Sequence, residues 1–271
     1  MAKVIVVTSG KGGVGKTTST AALGAAIAQT GQSVVVVDFD VGLRNLDLVM
    51  GAERRVVYDL INVVQGTIKL SQALIRDKRV ETLYLLPASQ TRDKDALTED
   101  GVARVIGELR EKFDWVLCDS PAGIERGATL AMRHADAAVI VTNPEVSSVR
   151  DSDRIIGLLD SKTEKAEKGE PMPKHLLIAR YDAGRAARGE MLNIEDVLEI
   201  LSIPLIGIIP ESEDVLRASN LGSPVTISSA QSAAARAYQA AARRLCGEEI
   251  EMTIPNDKKG LLNRLFGRRA A

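Results

Sequence analysis

Residues 10–17 read Gly10-Lys11-Gly12-Gly13-Val14-Gly15-Lys16-Thr17, a phosphate-binding loop that carries a second lysine directly after its first glycine. Such a Gly-x-x-x-x-Gly-Lys-Thr loop wraps bare backbone N–H groups around phosphates, because only glycine tolerates the backbone angles and the close approach. Lys16 would reach the terminal phosphates, and the Thr17 hydroxyl would ligate Mg²⁺. A buried-strand run precedes the loop and an Ala-rich helical stretch comes after it, so we predict a nucleoside triphosphate site. The predicted contact residues in this segment are Gly10, Lys11, Gly12, Gly13, Val14, Gly15, Lys16, Thr17 and Thr18.

The same loop fits a second pattern. Its first, third and sixth positions match the Gly-x-Gly-x-x-Gly fingerprint of dinucleotide-binding folds, and Asp38 lies about far enough downstream to hold a ribose. That interpretation leaves Lys16 and Thr17 without a role, and it does the same for the aspartate that ends a later strand. The dinucleotide site therefore stands as the alternative.

Composition limits the classes of protein that fit. The chain has 271 residues, of which 45% are hydrophobic and only 3% aromatic, which favours one domain with the aliphatic core of a parallel sheet. So few aromatic residues argue against a base-stacking surface for single-stranded nucleic acid, and no specific nucleic acid partner is expected. Two cysteines fit a reducing cytosol, and no signal peptide or membrane-spanning run is visible.

Apolar strand runs alternate with helical patterns along the chain. This order predicts an α/β chain with a single-domain, three-layer P-loop NTPase fold, whose mostly parallel sheet carries helices on both faces. The predicted strands are Lys3–Thr8, Ser33–Asp38, Leu83–Pro87, Trp115–Asp119, Ala137–Thr142, Leu176–Ala179 and Leu205–Ile209. The predicted helices lie near 17–29, 98–112, 126–134, 147–160, 194–201, 212–219 and 230–245. The charged stretch Ser161–Glu170 is predicted to be a solvated loop.

Two acidic strand ends are candidates for the chemistry of a magnesium triphosphate. Asp38 and Asp40 lie at the end of the second predicted strand, and Asp119 ends the apolar run Trp115–Cys118 in the manner of a Walker B strand. Such a site needs carboxylates that hold metal-bound waters and one that orients the attacking water. We therefore expect these aspartates beside the loop, with the metal held by Thr17, Asp38 and Asp119.

The second lysine and the base contacts are further predictions. Lys11 lies too close along the backbone to curl onto its own phosphates, so it could cross a dimer interface to the other subunit's nucleotide. The Asn/Thr-Lys-x-Asp element of many GTPases is absent, which favours ATP over GTP. Arg180, Pro210 and Glu211 lie at the ends of later strands and are the predicted neighbours of adenine.

The charge distribution sets the end of the chain apart. Residues 258–271 hold five basic residues and no acidic one, which leaves 30 basic against 36 acidic residues elsewhere. At 100° per residue the four large apolar side chains of this tail fill an arc of about 140°, as in a membrane-binding amphipathic helix. We assign 1–247 to an ATPase domain, 248–256 to a linker and 257–271 to the tail. The predicted membrane-binding residues are Lys258, Lys259, Leu261, Leu262, Arg264, Leu265, Phe266 and Arg268.

One copy of this tail should bind a membrane weakly. Burying four apolar side chains offers about 6–12 kcal/mol, and five basic residues near an anionic leaflet add about 1 kcal/mol each. Ordering about eleven residues costs about 1–2 kcal/mol apiece, so the sum is near zero. Two tails held together gain through effective concentration, so a nucleotide-driven dimer would act as a membrane switch.

Several stretches of the chain resemble a known family of ATPases. The loop KGGVGKT at 11–17 resembles the deviant Walker A loop of the ParA/MinD ATPases. Four further stretches, DFDVGLRNLD at 38–47, ERRVVYD at 53–59, SQTRDKD at 89–95 and NPEVSS at 143–148, resemble the members of that family that place the division septum. The basic tail is similar to the membrane-targeting helix of those members.

The resemblance implies an ATPase that uses ATP and Mg²⁺, dimerises on ATP, and binds anionic lipids on the inner face of the bacterial cytoplasmic membrane. It further implies a cytoplasmic and peripheral location, recruitment of the division inhibitor MinC, and release by hydrolysis that MinE stimulates. By the same likeness Lys11, Lys16 and Asp40 are catalytic: Lys11 reaches the opposite subunit's nucleotide and Asp40 positions the hydrolytic water. Asp38 and Asp119 would support the metal through water. The segment Arg44–Glu53 and the helix that opens at Ser148–Asp151 are the candidate partner surfaces.

Two other functions stay open. Relatives in this family segregate DNA or position polar cargo, and those that act on DNA usually present a basic folded body, whereas this body is net acidic. A metabolic P-loop enzyme acting on a small substrate would leave the tail without a role.

Overall fold

The computed structural model describes residues 2–90 and 96–255. In this part of the chain eight strands form one sheet in the order β3-β4-β2-β5-β1-β6-β7-β8. The strands are β1 Lys3–Thr8, β2 Val34–Asp38, β3 Ile75–Arg76, β4 Leu83–Leu86, β5 Trp115–Asp119, β6 Ala137–Thr142, β7 Lys174–Tyr181 and β8 Leu205–Pro210. All pairings are parallel except that of β3 with β4.

The described residues form thirteen α-helices, ten between strands and three after the last strand. They are α1 Lys16–Ala28, α2 Leu46–Val49, α3 Leu60–Val64, α4 Leu70–Ala73, α5 Glu99–Lys112, α6 Arg126–Arg133, α7 Val146–Lys162, α8 Glu164–Glu167, α9 Ala183–Ala187, α10 Ile194–Leu201, α11 Glu213–Asn220, α12 Val225–Ser228 and α13 Ala233–Leu245. A 3₁₀ turn spans Glu53–Arg55. None of these helices is long and apolar enough to cross a membrane.

The sheet is covered on both faces, which makes three layers. One core joins alternate strand residues such as Val7 and Val36 to α1, α2, α12 and α13. The second joins the intervening residues, such as Val6 and Val37, to α3, α5, α6 and α7. Because both faces are buried, the strands are almost continuous runs of aliphatic residues. The three-layer fold with a mostly parallel sheet is therefore confirmed.

The alternation of side chains along each strand also decides which face of the sheet the aspartates at the strand ends point to. Asp38 on β2 is the register partner of Asp119 on β5, and Val7 on β1 is the partner of Asp119 on the other side. Both aspartates belong to the set of strand positions that faces α1. The sheet therefore brings two carboxylates together at its carboxyl edge, directly under the start of α1.

The sequence did not predict the shortest elements. A two-residue strand and helices of four or five residues carry too little hydrophobic periodicity to be recognised. The stretch Ser161–Glu170, predicted as a loop, is a correction: α7 runs to Lys162 and α8 begins directly after Thr163. The Thr163 hydroxyl accepts a hydrogen bond from the Ala166 N–H and so caps α8. Glu167 of α8 forms an ion pair with Arg133 of α6, and Glu164 Oε1 lies 2.7 Å from His134 Nδ1.

The last described residues lie against the body of the protein. The Arg244 guanidinium donates to the carbonyls of Ile206, Ile250 and Glu251, and Ile254 is buried in a third core beside β7, β8 and α10. The predicted tail at 257–271, the last linker residue 256 and residues 91–95 of the SQTRDKD stretch lie outside the described residues.

Candidate nucleotide-binding site

The loop at residues 9–15 joins β1 to α1 and ends in an unusual helix start. Gly13 and Gly15 have φ angles of 77° and 99°, in the left-handed region that favours glycine. Gly15 is the residue before α1, and no side chain caps the helix there. The first N–H groups of α1 therefore face outward at the positive end of the helix dipole, which is a favourable position for a phosphate.

A cavity of about 610 Å³ opens over this helix start. It is bounded by the loop and α1, by the segment 40–49, by the residues after β5 and by the end of α11. The lining residues are Gly12, Gly13, Gly15, Lys16, Thr17, Thr18, Asp40, Leu43, Asn45, Leu48, Val49, Pro121, Ala122, Glu125, Ser219 and Asn220. Three predicted loop residues do not line it, because Val14 is buried in the core, Gly10 packs on α7, and Lys11 forms its contacts elsewhere.

The Asp119 carboxyl is buried beneath the loop. Its Oδ1 accepts a hydrogen bond from the Thr20 hydroxyl at 3.1 Å. Burial raises the pKa of Asp119 from 3.8 to about 6, although the Lys16 charge and the hydroxyls of Thr17 and Thr20 lower it. The carboxyl is therefore within interaction range of both loop residues predicted to serve phosphate and Mg²⁺.

Asp38 is fully buried beside Asp119. Its Oδ1 accepts from the Asp40 N–H at 2.9 Å and its Oδ2 from the Leu46 N–H at 3.3 Å. Burial, and next the charge of Asp119, raise the pKa of Asp38 well above its usual value. Because both oxygens are turned to backbone N–H groups in the interior, Asp38 is badly placed to hold a ribose, which counts against the dinucleotide alternative.

The donors present fit a magnesium ion that is held mainly by phosphate and water. No group of three or more acidic, histidine or cysteine side chains in residues 2–90 and 96–255 could form a metal site. Mg²⁺ needs fewer: it keeps several waters and takes few protein oxygens besides those of a phosphate. The Thr17 hydroxyl would supply one such oxygen directly and the buried carboxylates would act through water, and a cation would offset the burial and the neighbouring negative charge that raise both pKa values.

Asp40 begins the segment that walls the cavity. Its backbone N–H binds Asp38, and its carbonyl accepts from the Arg44 N–H at 3.1 Å. Arg44 has a φ angle of 48° and pairs with the buried Asp47 carboxylate at 2.5 Å. These bonds fold residues 39–47 over the two buried aspartates, so Asp40 lines the cavity at the predicted place.

Lys11 turns toward α7 instead of toward its own cavity. Its Nζ lies 3.1 Å from Glu145 Oε2 and 3.1 Å from Ser147 Oγ, and its side chain is 42% exposed. The neighbouring Gly10 touches α7 directly, because a Cβ there would lie 2.2 Å from the carbonyl carbon of Asp151. The loop and the first turns of α7 are thus packed together without room for a side chain.

A second cavity of about 430 Å³ shares Gly13, Gly15, Thr18 and Ser219 with the first. This cavity is lined by all three residues that were predicted to contact the base. Arg180, which has a φ angle of 58°, lies near the end of β7, and Pro210 and Glu211 lie at the end of the adjacent strand β8. The Arg180 guanidinium lies 3.4 Å from Glu211 Oε1 and donates to the Gly13 carbonyl. The geometry suits a base joined to a ribose and phosphates that continue into the first cavity.

Sequence reasoning missed the remaining walls of both cavities. Helix α11 contributes Val215 and Leu216 to the second cavity, and Tyr238 on α13 also lines it. The Tyr238 hydroxyl lies 3.0 Å from Ser19 Oγ, and burial raises the pKa of Tyr238 to about 12. These residues carry no motif; only their helical pattern is visible in the sequence.

Known proteins resemble the chain over almost its whole length. The model of the CobQ/CobB/MinD/ParA nucleotide binding domain matches residues 5–225. The septum site-determining protein MinD of Escherichia coli K12 is 62% identical over 270 residues, covering 98% of this chain and 100% of the relative. Among solved structures, the MinC:MinD cell division protein complex of Aquifex aeolicus is 42% identical, covers 93% of this chain and 99% of that chain, and has a TM-score of 0.84. MinD of Pyrococcus horikoshii complexed with Mg-ADP is 31% identical, covers 90% and 96%, and has a TM-score of 0.80.

Proposed function

The chain belongs to the MinD proteins of the CobQ/CobB/MinD/ParA nucleotide-binding family, and we propose that it is an ATP-driven membrane switch that places the division septum. As a member of that family it is an ATPase that binds nucleotide and Mg²⁺. The nucleotide that drives the switch is ATP, and hydrolysis to ADP resets it.

Dimerisation on ATP is the first step of the proposal, and Lys11 is the observation that carries it. Its ammonium group is directed away from its own cavity and pairs with Glu145. Exposed apolar side chains flank the same edge of the sheet: Leu43, Ile124 and Val146 are each more than half exposed. Apolar side chains on such an edge favour a partner surface. A second copy that meets this edge would receive Lys11 at its own nucleotide.

The residues of this chain divide the hydrolytic reaction between them. Loop N–H groups and Lys16 bind the phosphates, and Asp40 orients the attacking water. Thr17 would hold the metal, and Asp38 and Asp119 would support it through water. Mg²⁺ would reduce the negative charge of the phosphates. Lys11 of the partner subunit neutralises charge that develops on the transferred group, in the manner of a finger supplied in trans.

Membrane binding depends on dimerisation. The tail at 257–271 carries five basic residues and four large apolar ones. One tail binds an anionic leaflet weakly, and two tails fixed in one dimer bind more tightly through effective concentration. The protein therefore cycles between the cytoplasm and the inner face of the cytoplasmic membrane with its nucleotide state.

Partners act on the same edge of the molecule. The Aquifex aeolicus MinD structure is a complex with MinC, which supports a MinC-like division inhibitor as a partner of this chain. A MinE-like activator would stimulate hydrolysis and release the dimer. The candidate surfaces, Arg44–Glu53 and the start of α7, both adjoin the nucleotide cavity: the first contributes Asn45 and Leu48, and the second packs on Gly10. Both are placed to report which nucleotide is bound.

Light scattering after size exclusion tests this proposal with Mg-ATP, Mg-ADP or no nucleotide. Wild type should be a dimer with Mg-ATP alone. Lys11→Ala should still bind Mg-ATP but stay monomeric and hydrolyse it no faster with activator. Lys16→Ala should lose binding of both nucleotides. A dimer that forms equally with ADP, or a Lys11→Ala protein that dimerises and hydrolyses normally, would overturn the proposal.

A further inference from the structure

Two backbone segments touch behind the nucleotide cavity. Gly51 lies just after α2 and Gly222 just after α11, and both have positive φ angles, of 64° and 62°. A Cβ on Gly51 would lie 2.4 Å from the Gly222 carbonyl oxygen, and one on Gly222 would lie 2.6 Å from the Gly51 Cα. No side chain fits between them, so the ends of the two helices meet backbone to backbone.

One guanidinium joins these two segments. Arg79, in the turn between β3 and β4, donates from Nη2 to the Met50 carbonyl at 2.9 Å and from Nη1 to the Gly222 carbonyl at 3.0 Å. Planar Arg groups are well suited to bridging two fixed acceptors, because their donors point in set directions. Arg79 therefore spans the α2 segment and the α11 segment with one rigid group.

The guanidinium is itself held in place. Arg79 Nη2 lies 2.7 Å from Asp77 Oδ2, and its Nε lies 3.2 Å from Asp77 Oδ1. The Asp77 side chain is 1% exposed, and its Oδ1 also accepts from the N–H groups of Arg79 and Val80. Burial raises the pKa of Asp77, but the bonds and charge of Arg79 and the Val80 N–H lower it further, so the net pKa is below the usual value.

The two joined helices form neighbouring walls of the nucleotide site. Leu48 and Val49 of α2 and Ser219 and Asn220 of α11 all line the first cavity, where the ends of the two helices lie side by side. Helix α2 is continuous with the 39–45 segment that contains Asp40, while α11 also forms a wall of the second cavity. The relative position of these helices shapes the cleft, and Arg79 fixes that position from behind without lining either cavity.

From this arrangement we infer that Arg79 is a positioning residue for nucleotide binding. It holds the wall beside the terminal phosphates and the wall beside the base at one distance, so that both can contact the same nucleotide. The inference rests on the nucleotide site proposed above. It assigns a role to a residue that touches neither nucleotide nor metal and that no sequence motif marks.

The chain offers a matched control on the opposite face of the sheet. Arg104 of α5 donates from Nη2 to the carbonyls of Val63 and Val64 at 2.7 and 3.1 Å and pairs with Glu108. It therefore makes the same kind of contacts, a guanidinium to two backbone carbonyls and one carboxylate. It joins α5 to α3 and lines neither nucleotide cavity.

The test compares Arg79→Gln, Arg79→Lys and Arg104→Gln in the full chain. Binding of a fluorescent ADP analogue with Mg²⁺ is measured, so that neither dimerisation nor membrane binding contributes to the affinity. Both Gln variants should unfold at a lower temperature without nucleotide. Arg79→Gln should bind the analogue about tenfold more weakly, mainly because the analogue dissociates faster. A tenfold loss of affinity is about what the loss of one hydrogen bond to a charged group would cause. Arg104→Gln should bind within about twofold of wild type, and Arg79→Lys should lie between wild type and Arg79→Gln.

Each outcome has one meaning. Unchanged affinity in Arg79→Gln, or an equal loss in Arg104→Gln, would overturn the inference and leave the nucleotide site intact. If Arg79→Gln fails to fold, Arg79→Lys decides: a several-fold faster dissociation supports the inference, and a wild-type rate refutes it. Wild-type protein that does not bind the analogue would refute the nucleotide site, and the inference with it.

Discussion

Replacing Asp119 by Asn should stabilise the nucleotide-free protein. Asp119 is buried next to Asp38, and burial raises its pKa from 3.8 to about 6 in spite of the Lys16 charge. Its ionised form therefore opposes folding. At about 1.4 kcal/mol per pH unit, this difference in pKa amounts to about 3 kcal/mol at pH 7. Asn is neutral, has nearly the same shape, and can still accept the hydrogen bond from Thr20.

The effect has a definite pH dependence. Above pH 6 the carboxyl is ionised in the folded and the unfolded protein, so the full penalty of about 3 kcal/mol applies. Between about pH 6 and pH 3.8 the folded state binds a proton that the unfolded state does not, and the penalty falls as the pH falls. At pH 5 about half of it remains. The difference in stability between Asp119→Asn and wild type should therefore shrink by about half from pH 7 to pH 5.

Urea unfolding followed by circular dichroism, without nucleotide or Mg²⁺, measures both quantities. Asp114→Asn is the opposite case, because hydrogen bonds from the Ser33 hydroxyl and N–H lower the pKa of Asp114; this change should reduce stability at pH 7. An Asp119→Asn protein that is less stable than wild type at pH 7, or a gap that does not change with pH, would refute the reasoning. With Mg²⁺ present the same variant should bind ATP more weakly than wild type.

Three further contacts are each tested by one substitution, the first with a control substitution. Gly10→Ala forces a Cβ against the Asp151 backbone, so it should lower the free energy of unfolding in urea by about 1–3 kcal/mol and weaken ATP binding. The control Gly107→Ala in α5, where the space is open, should stabilise the protein by up to about 1 kcal/mol. Equal losses of stability in both variants would contradict the packing argument. Glu145→Gln removes the charge that holds Lys11 and should lower the protein concentration needed for the ATP dimer by about two- to fivefold in light scattering; a higher requirement would count against the role of Lys11. Tyr238→Phe leaves the Ser19 hydroxyl without its partner and should cost about 1–2 kcal/mol in thermal or urea unfolding; unchanged stability would show that this bond contributes nothing.

Much of the fold could be predicted from local patterns. Seven of the eight described strands coincide with aliphatic runs, because a sheet covered on both faces needs such runs, and the phosphate loop predicts that a helix comes directly after the first strand. The pairing of Asp38 and Asp119 beneath the phosphate loop results from parallel strands, whose carboxyl ends share an edge. The elements that the sequence missed are short, and their positions depend on contacts with distant segments.

Arg79 illustrates why the rest could not be predicted. The two acceptors that it bridges, besides Asp77, lie 29 and 143 residues away along the chain, and both are backbone carbonyls that carry no sequence signal. The same holds for Lys11, whose partner Glu145 lies in another loop and is recognisable only once β1 and β6 are known to be neighbours. Residues that act through tertiary contacts of this kind become visible only in the folded structure.

Vesicle co-sedimentation tests the membrane switch most directly. Vesicles that contain anionic lipids are mixed with the full chain or with a chain that ends after Pro255, which keeps the buried Ile254 in place. Each protein is measured with Mg-ATP, Mg-ADP and no nucleotide. The account predicts that only the full chain with Mg-ATP sediments with the vesicles, and that high salt weakens this binding. Binding that is the same with every nucleotide, or that survives removal of the tail, would contradict the account and favour a relative that positions DNA or polar cargo.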